Sequence, residues 1–279
     1  MKRKIAVVLV LCLALGLMLG GCASQSATQK APDKSDKVAD TSWDDIKAKG
    51  SFTVGLDDNF PPMGFRDEKN NIVGFDIDLA KEAAKRLGVQ VKFQPINWDT
   101  KVAELNGKNI DVIWNGLTIT DELKKQILFT TPYMSDHQII VVTPDSAVKT
   151  KADLVGKKVG VQAGSSAIEA VQQDKAIYEK IKNDLLEFKD YQLALNDLKG
   201  GGLQAVVVDE VVGRYSMAKE PKSYKILDDN FRTEDFGVGL RMTDKAFQAQ
   251  LEKVINDMKK DGTASEISKK WFGEDIIKK

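Results

Sequence analysis

Residues 75–93 read FDIDLAKEAAKRLGVQVKF, and this stretch decides the fold class. Leu79, Ala83 and Leu87 recur at four-residue spacing, which stacks them on one face of a helix over Phe75–Leu87. Gly88 stops that helix, and Val89–Phe93 reads as a strand. Working outward, Ser51–Leu56 reads as a preceding strand. Lys101–Leu105 reads as a helix with Val102 and Leu105 inward, and Ile110–Trp114 as a buried strand. Strand, helix, strand, helix, strand is the order of an α/β unit built on a mostly parallel sheet flanked by helices.

The order then restarts. Val159–Val161, Leu185–Phe188 and Ala205–Val208 read as strands; helices open at Ser166, Leu193 and Glu210. No fixed-period repeat accompanies it, so the chain is not a solenoid. Two extended stretches, Ile139–Thr143 and Phe236–Leu240, are the candidates for strands that cross between two lobes. After the second, Asp244–Lys260 carries Phe247, Leu251, Val254, Ile255 and Met258 on one helical stripe, and Ser265–Phe272 is a last helix. The division expected is a first lobe of residues 43–142 plus 237–279 and a second of 143–236, with a hinged cleft between them suited to a small ligand.

The N-terminus has a different character. Lys2, Arg3 and Lys4 precede an apolar run over Ile5–Leu19, and Leu19-Gly20-Gly21-Cys22 follows. This resembles a bacterial lipoprotein signal over residues 1–21, with Cys22 lipidated and first in the mature chain. The run is short for a membrane span, which needs roughly 20 residues. Residues 22–42 lack apolar periodicity and read as a flexible tether; a short capped helix begins at Ser42.

The 279 residues carry 41 basic and 41 acidic side chains, and three of the bases are Lys2, Arg3 and Lys4. A chain starting at Cys22 is therefore mildly acidic, which argues against a nucleic-acid partner. The two cysteines are Cys12 and Cys22, so the body has no disulfide to form. The one histidine, His137, excludes a histidine-rich metal site and suits a structural place in or beside a strand. No cofactor or metal is expected.

Eight segments carry a family resemblance across residues 50–275. They are Phe60-Pro61-Pro62-Met63-Gly64-Phe65, Val73-Gly74-Phe75-Asp76-Ile77-Asp78-Leu79, Asn115–Glu122, Phe129-Thr130-Thr131-Pro132-Tyr133, Val159–Ser166, Ala205–Asp209, Asp261-Gly262-Thr263 and Lys270-Trp271-Phe272-Gly273. In order and spacing the chain resembles the polar amino-acid-binding proteins of bacterial ABC uptake systems. The resemblance implies the two-lobed, type II periplasmic-binding fold and a monomeric, non-catalytic receptor. Such a receptor would be lipid-anchored on the extracytoplasmic face and would deliver its ligand to an ABC permease.

A free amino acid is a zwitterion, so its site needs an acid for the amine and donors for the carboxylate. Asp209 follows the buried strand Ala205–Val208, where open α/β sheets place ligands. It resembles the family's amine-binding carboxylate, and it can equally cap the helix from Glu210. Gly116 allows close approach of backbone to ligand, and Thr118 can donate to a carboxylate; Thr120 suits a cap for the helix at Asp121. Gly164-Ser165-Ser166 opens a helix whose N-terminus favours an anion, with Ser166 and Glu169 spaced as a capping box. Ser165 or Ser166 is expected to touch the ligand, and Gln162 its side chain. Aromatics matching Phe60 and Trp98 sandwich the side chain in the family, and the position of Asp57 meets its distal polar end in relatives that take basic amino acids or glutamine. A basic or amide side chain is therefore the expected ligand class.

One position departs from the family. An arginine usually follows the second threonine of the Thr-x-Thr turn by three residues and clamps the ligand carboxylate; here Leu123 stands there. Lys124 is roughly a hundred degrees further round the helix. Two other functions compete: a dehydratase of cyclic acids, for which Asp57, Asp58 and Asp209 are candidate acids, and a sensing domain that would need a separate signalling partner.

Overall fold

The computed structural model describes residues 39–279. Cys12, Cys22, the signal segment and most of the tether lie outside the described residues. In chain order the strands are β1 (Ser51–Leu56), β2 (Asn59–Phe60), β3 (Gly64–Arg66), β4 (Ile72–Val73), β5 (Gln90–Pro95), β6 (Val112–Ile113), β7 (Ile127–Phe129), β8 (Met134–Val142), β9 (Val159–Gln162), β10 (Leu185–Phe188), β11 (Ala205–Asp209), β12 (Lys225–Phe236) and β13 (Gly239–Arg241). The helices are α1 (Ser42–Lys49), α2 (Phe75–Leu87), α3 (Lys101–Asn106), α4 (Asp121–Lys124), α5 (Ser166–Gln173), α6 (Lys175–Ile181), α7 (Tyr191–Lys199), α8 (Glu210–Lys219), α9 (Lys245–Lys260) and α10 (Thr263–Phe272).

Two five-stranded sheets form, in the orders β5-β1-β6-β13-β7 and β10-β9-β11-β8-β12, plus a small β2-β3-β4 sheet. Each large sheet has two parallel joints and two antiparallel ones. The expectation of mostly parallel sheets is thus half right. The βαβ crossovers give the parallel joints, whereas β7, β8, β12 and β13 meet neighbours head to tail.

The lobe boundary also moves. β8 lies wholly in the second sheet, so residues 134–142 belong to the second lobe and not to the first. Ile139–Val142 is the buried C-terminal half of that strand rather than a crossing segment. The chain crosses instead at 130–133 and returns at 237–238. These two stretches run side by side, with Thr130 N–H donating to Val238 O and Tyr133 N–H to Phe236 O, both at 3.0 Å. Among the described residues these two backbone stretches are the only covalent links between lobes, which makes this the natural hinge.

The apolar stripes fall where their spacing predicts. Leu79, Ala80, Ala83 and Ala84 of α2 are buried, and Gly88 closes the helix at φ +71°, its N–H reaching Ala84 O and Lys85 O. Phe247, Leu251, Val254, Ile255 and Met258 of α9 are all buried. α9 and α10 return to the first lobe: Phe75 packs edge-on to Phe272 at 5.1 Å, and Arg86 pairs with Asp261 at 2.7 Å. With Phe52, Val54 and Leu56 of β1 at zero exposure, the first lobe is a rigid platform beneath its strand ends.

Candidate functional site

The C-terminal ends of four strands aim at the space between the lobes. β1 leads to Asp57 and Phe60, β6 to Asn115–Thr118, β9 to Gln162–Ser166, and β11 ends in Asp209. A cavity of about 60 Å³ is lined from the first lobe by Phe60, Trp98, Lys101, Gly116, Thr118 and Leu123, among others. The second lobe lines it with Gln162, Ser165, Ser166, Glu169 and Asp209.

The lobes touch through side chains as well as the hinge. Thr118 donates to Ser166 Oγ at 3.0 Å, Thr120 to Glu169 Oε1 at 3.2 Å, and Gln162 Nε2 to Asp57 Oδ2 at 2.6 Å. Phe60 packs on Tyr191 of α7 at 5.9 Å between centroids. Thr120 also caps α4, accepting from Leu123 N–H at 3.2 Å.

Gly116 sits at φ +56°, and a Cβ there would lie 2.9 Å from Phe60 Cε1, so this turn requires glycine on both counts. Asp76, in the first turn of α2, holds the turn in place. Its Oδ2 accepts from Gly116 N–H at 2.7 Å and Tyr133 O–H at 2.9 Å. Complete burial pushes the Asp76 carboxyl up to about 7, against the pull of those two donors.

Behind Asp209 lies a buried acidic cluster that the sequence reading missed. Asp136, Asp209 and Glu234 each bring a carboxylate oxygen within 4.8 Å of the others. Gln138 Nε2 donates to Asp209 Oδ1 at 3.0 Å, to Ser166 Oγ at 3.2 Å and also to Glu234. Arg232 bonds Glu234 at 3.1 Å, the one cation paired with the cluster among the described residues. Burial and mutual repulsion push the Asp136 and Asp209 carboxyls well above the usual carboxylate range. Asp209 does not cap α8 with its side chain. Asp136 does, accepting from Glu210 N–H at 3.1 Å and Val211 N–H at 3.2 Å. The Asp209 carboxylate is thereby left to face the cavity.

Two further expectations change. Ser166 and Glu169 form no capping box: the N-cap of α5 is Ser165, and Ser166 Oγ instead donates to Glu234 at 3.0 Å. Asp57 stands behind Gln162 and not on the inner cavity; it lines an outer groove of about 830 Å³ together with Asp58, Asp190 and Lys189. Burial pushes its carboxyl up to about 6. His137 is half exposed and its Nδ1 lies 2.7 Å from Glu210 Oε2. Leu123 lines the cavity where a donor was expected, while Lys124 is exposed and pairs with Asp121. Lys101, read from sequence only as the start of a helix, is buried beside Trp98 with its Nζ 5.0 Å from the ring centroid.

The model of the bacterial extracellular solute-binding proteins, family 3, matches residues 52–274. The chain belongs to that family. It is 34% identical over 235 residues to the L-cystine-binding protein TcyJ of Escherichia coli strain K12, covering 84% of this chain and 86% of that one. The ABC transporter arginine-binding protein 1 of the same strain is 31% identical over 229 residues, with 81% and 92% coverage. A solved ABC uptake transporter substrate-binding protein of Streptococcus pneumoniae with bound histidine superimposes with a TM-score of 0.83 at 35% identity, covering 86% of this chain and 99% of that one. The two-lobed α/β fold of this family-3 protein is therefore the type II periplasmic-binding architecture. Among the described residues no helix is long and apolar enough to cross a membrane.

Proposed function

We propose that this chain is an extracytoplasmic receptor, anchored through a lipid on Cys22, that binds one polar amino acid between its lobes and hands it to an ABC importer. The observation that carries the reading is the polarity of the inner cavity. It holds a buried carboxylate, Asp209, that no helix cap claims, opposite a corner of donors. A zwitterion is complementary to that arrangement. Its amine meets Asp209. Its carboxylate meets Thr118, Ser165 and Ser166 at the turn that Gly116 opens, and its side chain lies between Phe60 and Trp98. Gln162 and, behind it, Asp57 face the distal end, which favours a basic or amide side chain.

Entry requires the hinge to open, because the Thr118–Ser166 and Gln162–Asp57 bonds close the cavity from both lobes. A ligand that exchanges those bonds for its own biases the open–closed equilibrium towards closure. The relatives named for cystine, arginine and histidine support an amino acid as cargo. Calorimetry with L-arginine, L-lysine, L-histidine, L-glutamine and L-cystine tests the reading. Binding of at least one is expected, and silence with all of them at millimolar concentration refutes it. Turnover of a cyclic hydroxy acid would instead make the chain an enzyme.

A further inference from the structure

A cavity that takes a zwitterion needs a positive pole as well as a negative one. Among the described residues Lys101 is the one basic residue on the inner cavity wall. It opens α3 in the first lobe at 6% exposure, lying over the Trp98 ring. An ammonium has three N–H bonds to give. Lys101 Nζ donates to Gly164 O at 2.6 Å and Trp98 O at 3.2 Å, and among the described residues it makes no ion pair. Asp99 and Glu169 act on it only through space.

The place where that ammonium is held is unusual. Gly164 immediately precedes Ser165, the N-cap of the eight-residue helix α5. A cation is thus set against the positive end of a helix dipole, an arrangement that is unfavourable unless an anion stands between them. Ser165 gives a second, independent sign. Its hydroxyl is buried at 7% exposure, lines the same cavity and, like the Tyr191 hydroxyl beside it, has no partner in hydrogen-bond geometry among the described residues. A buried hydroxyl left unmatched is costly. Lys101 from one lobe, and Ser165 with the α5 N-terminus from the other, present donors to one corner.

We infer that Lys101 is the cation that receives the ligand's carboxylate, in place of the donor that Leu123 cannot supply. The inference rests on the amino-acid reading above and adds a residue to it. It also couples recognition to closure, since Lys101 meets Gly164 and α5 only across the closed cleft.

Calorimetry on the purified protein separates this role from a merely mechanical one. The probes are the tightest-binding of L-arginine, L-lysine, L-histidine, L-glutamine and L-cystine, and the C-terminal amide of that same amino acid. The wild type is expected to prefer acid over amide by ~10–100-fold, the scale of a charge-assisted hydrogen bond. Lys101→Met is expected to erase most of that preference by weakening the acid far more than the amide, whereas Lys101→Arg keeps it. Should Lys101→Met fail to fold, Lys101→Gln provides the same comparison. Equal weakening of acid and amide would make Lys101 a latch between the lobes and overturn the inference, as would an unchanged preference. A wild type that binds none of the five amino acids would refute the amino-acid reading itself.

Discussion

Asp209→Asn should weaken ligand binding and stabilise the free protein. The two effects have one cause. Asp209 stands within 4.8 Å of Asp136 and Glu234, all three are buried, and among the described residues only Arg232 pairs with them. Two unit charges at that distance repel by about 3 kcal/mol at an effective dielectric of ~20. Proton uptake relieves part of this, so replacing one carboxylate with an amide should return ~1–3 kcal/mol. Asn keeps an oxygen for Gln138 Nε2, so no buried donor is orphaned. For a chain of this size the melting temperature should rise by ~3 °C or more. Binding should move the other way, because the ligand amine loses its charged acceptor: about 1.5–3 kcal/mol, or ~10–100-fold in Kd. Differential scanning fluorimetry without ligand and calorimetry with it read both quantities. Undiminished affinity would remove Asp209 from the site. Loss of binding together with loss of stability would make it a structural residue only.

Gly164 has φ +69°, and a Cβ there would sit 2.6 Å from Asp99 Cα on the facing lobe. Gly164→Ala should therefore obstruct closure and cost ~1–3 kcal/mol of affinity; calorimetry showing an unchanged Kd would contradict this. Asp57 and Asp76, raised to about 6 and about 7, hold protons in the folded chain that the unfolded chain releases near pH 4. Between those limits the folded state binds more protons, so stability should increase as pH falls from about 7.5 to 5, and a thermal melt that drops over that range would refute the assignment. Cys22→Ser should release the protein from the membrane fraction and abolish acyl labelling; retention of both would end the lipoprotein reading.

What the sequence reveals here follows the range of the interactions involved. α2 and α9 were legible because their buried faces repeat every three or four residues and end at local signals such as Gly88. β12 was not. Lys225–Phe236 is dense in charged and polar residues because it is the edge strand of its sheet, solvated along one side. The lobe boundary failed for a related reason, since which sheet an apolar strand such as β8 joins is decided by its partners.

The site divides in the same way. Gly116, Thr118, Gln162, Ser165, Ser166 and Asp209 stand at strand ends, which pattern alone can locate. The acidic cluster comes from strand register: Glu234 pairs with Asp136, and Asp209 with Gln138. A hint was available in β8, where Asp136 and Gln138 are buried two residues apart while His137 between them faces outward. Lys101 gave no local signal at all. Its burial depends on Gly164, 63 residues away, and only on the closed cleft.

A crystal structure of the protein grown with its tightest-binding amino acid tests the central claim most directly. The ligand's amine is expected about 3 Å from Asp209, and its carboxylate at the corner formed by Thr118, Ser165 and Lys101. A ligand seated outside the cleft, or lying in it with its amine turned away from Asp209, would contradict the account.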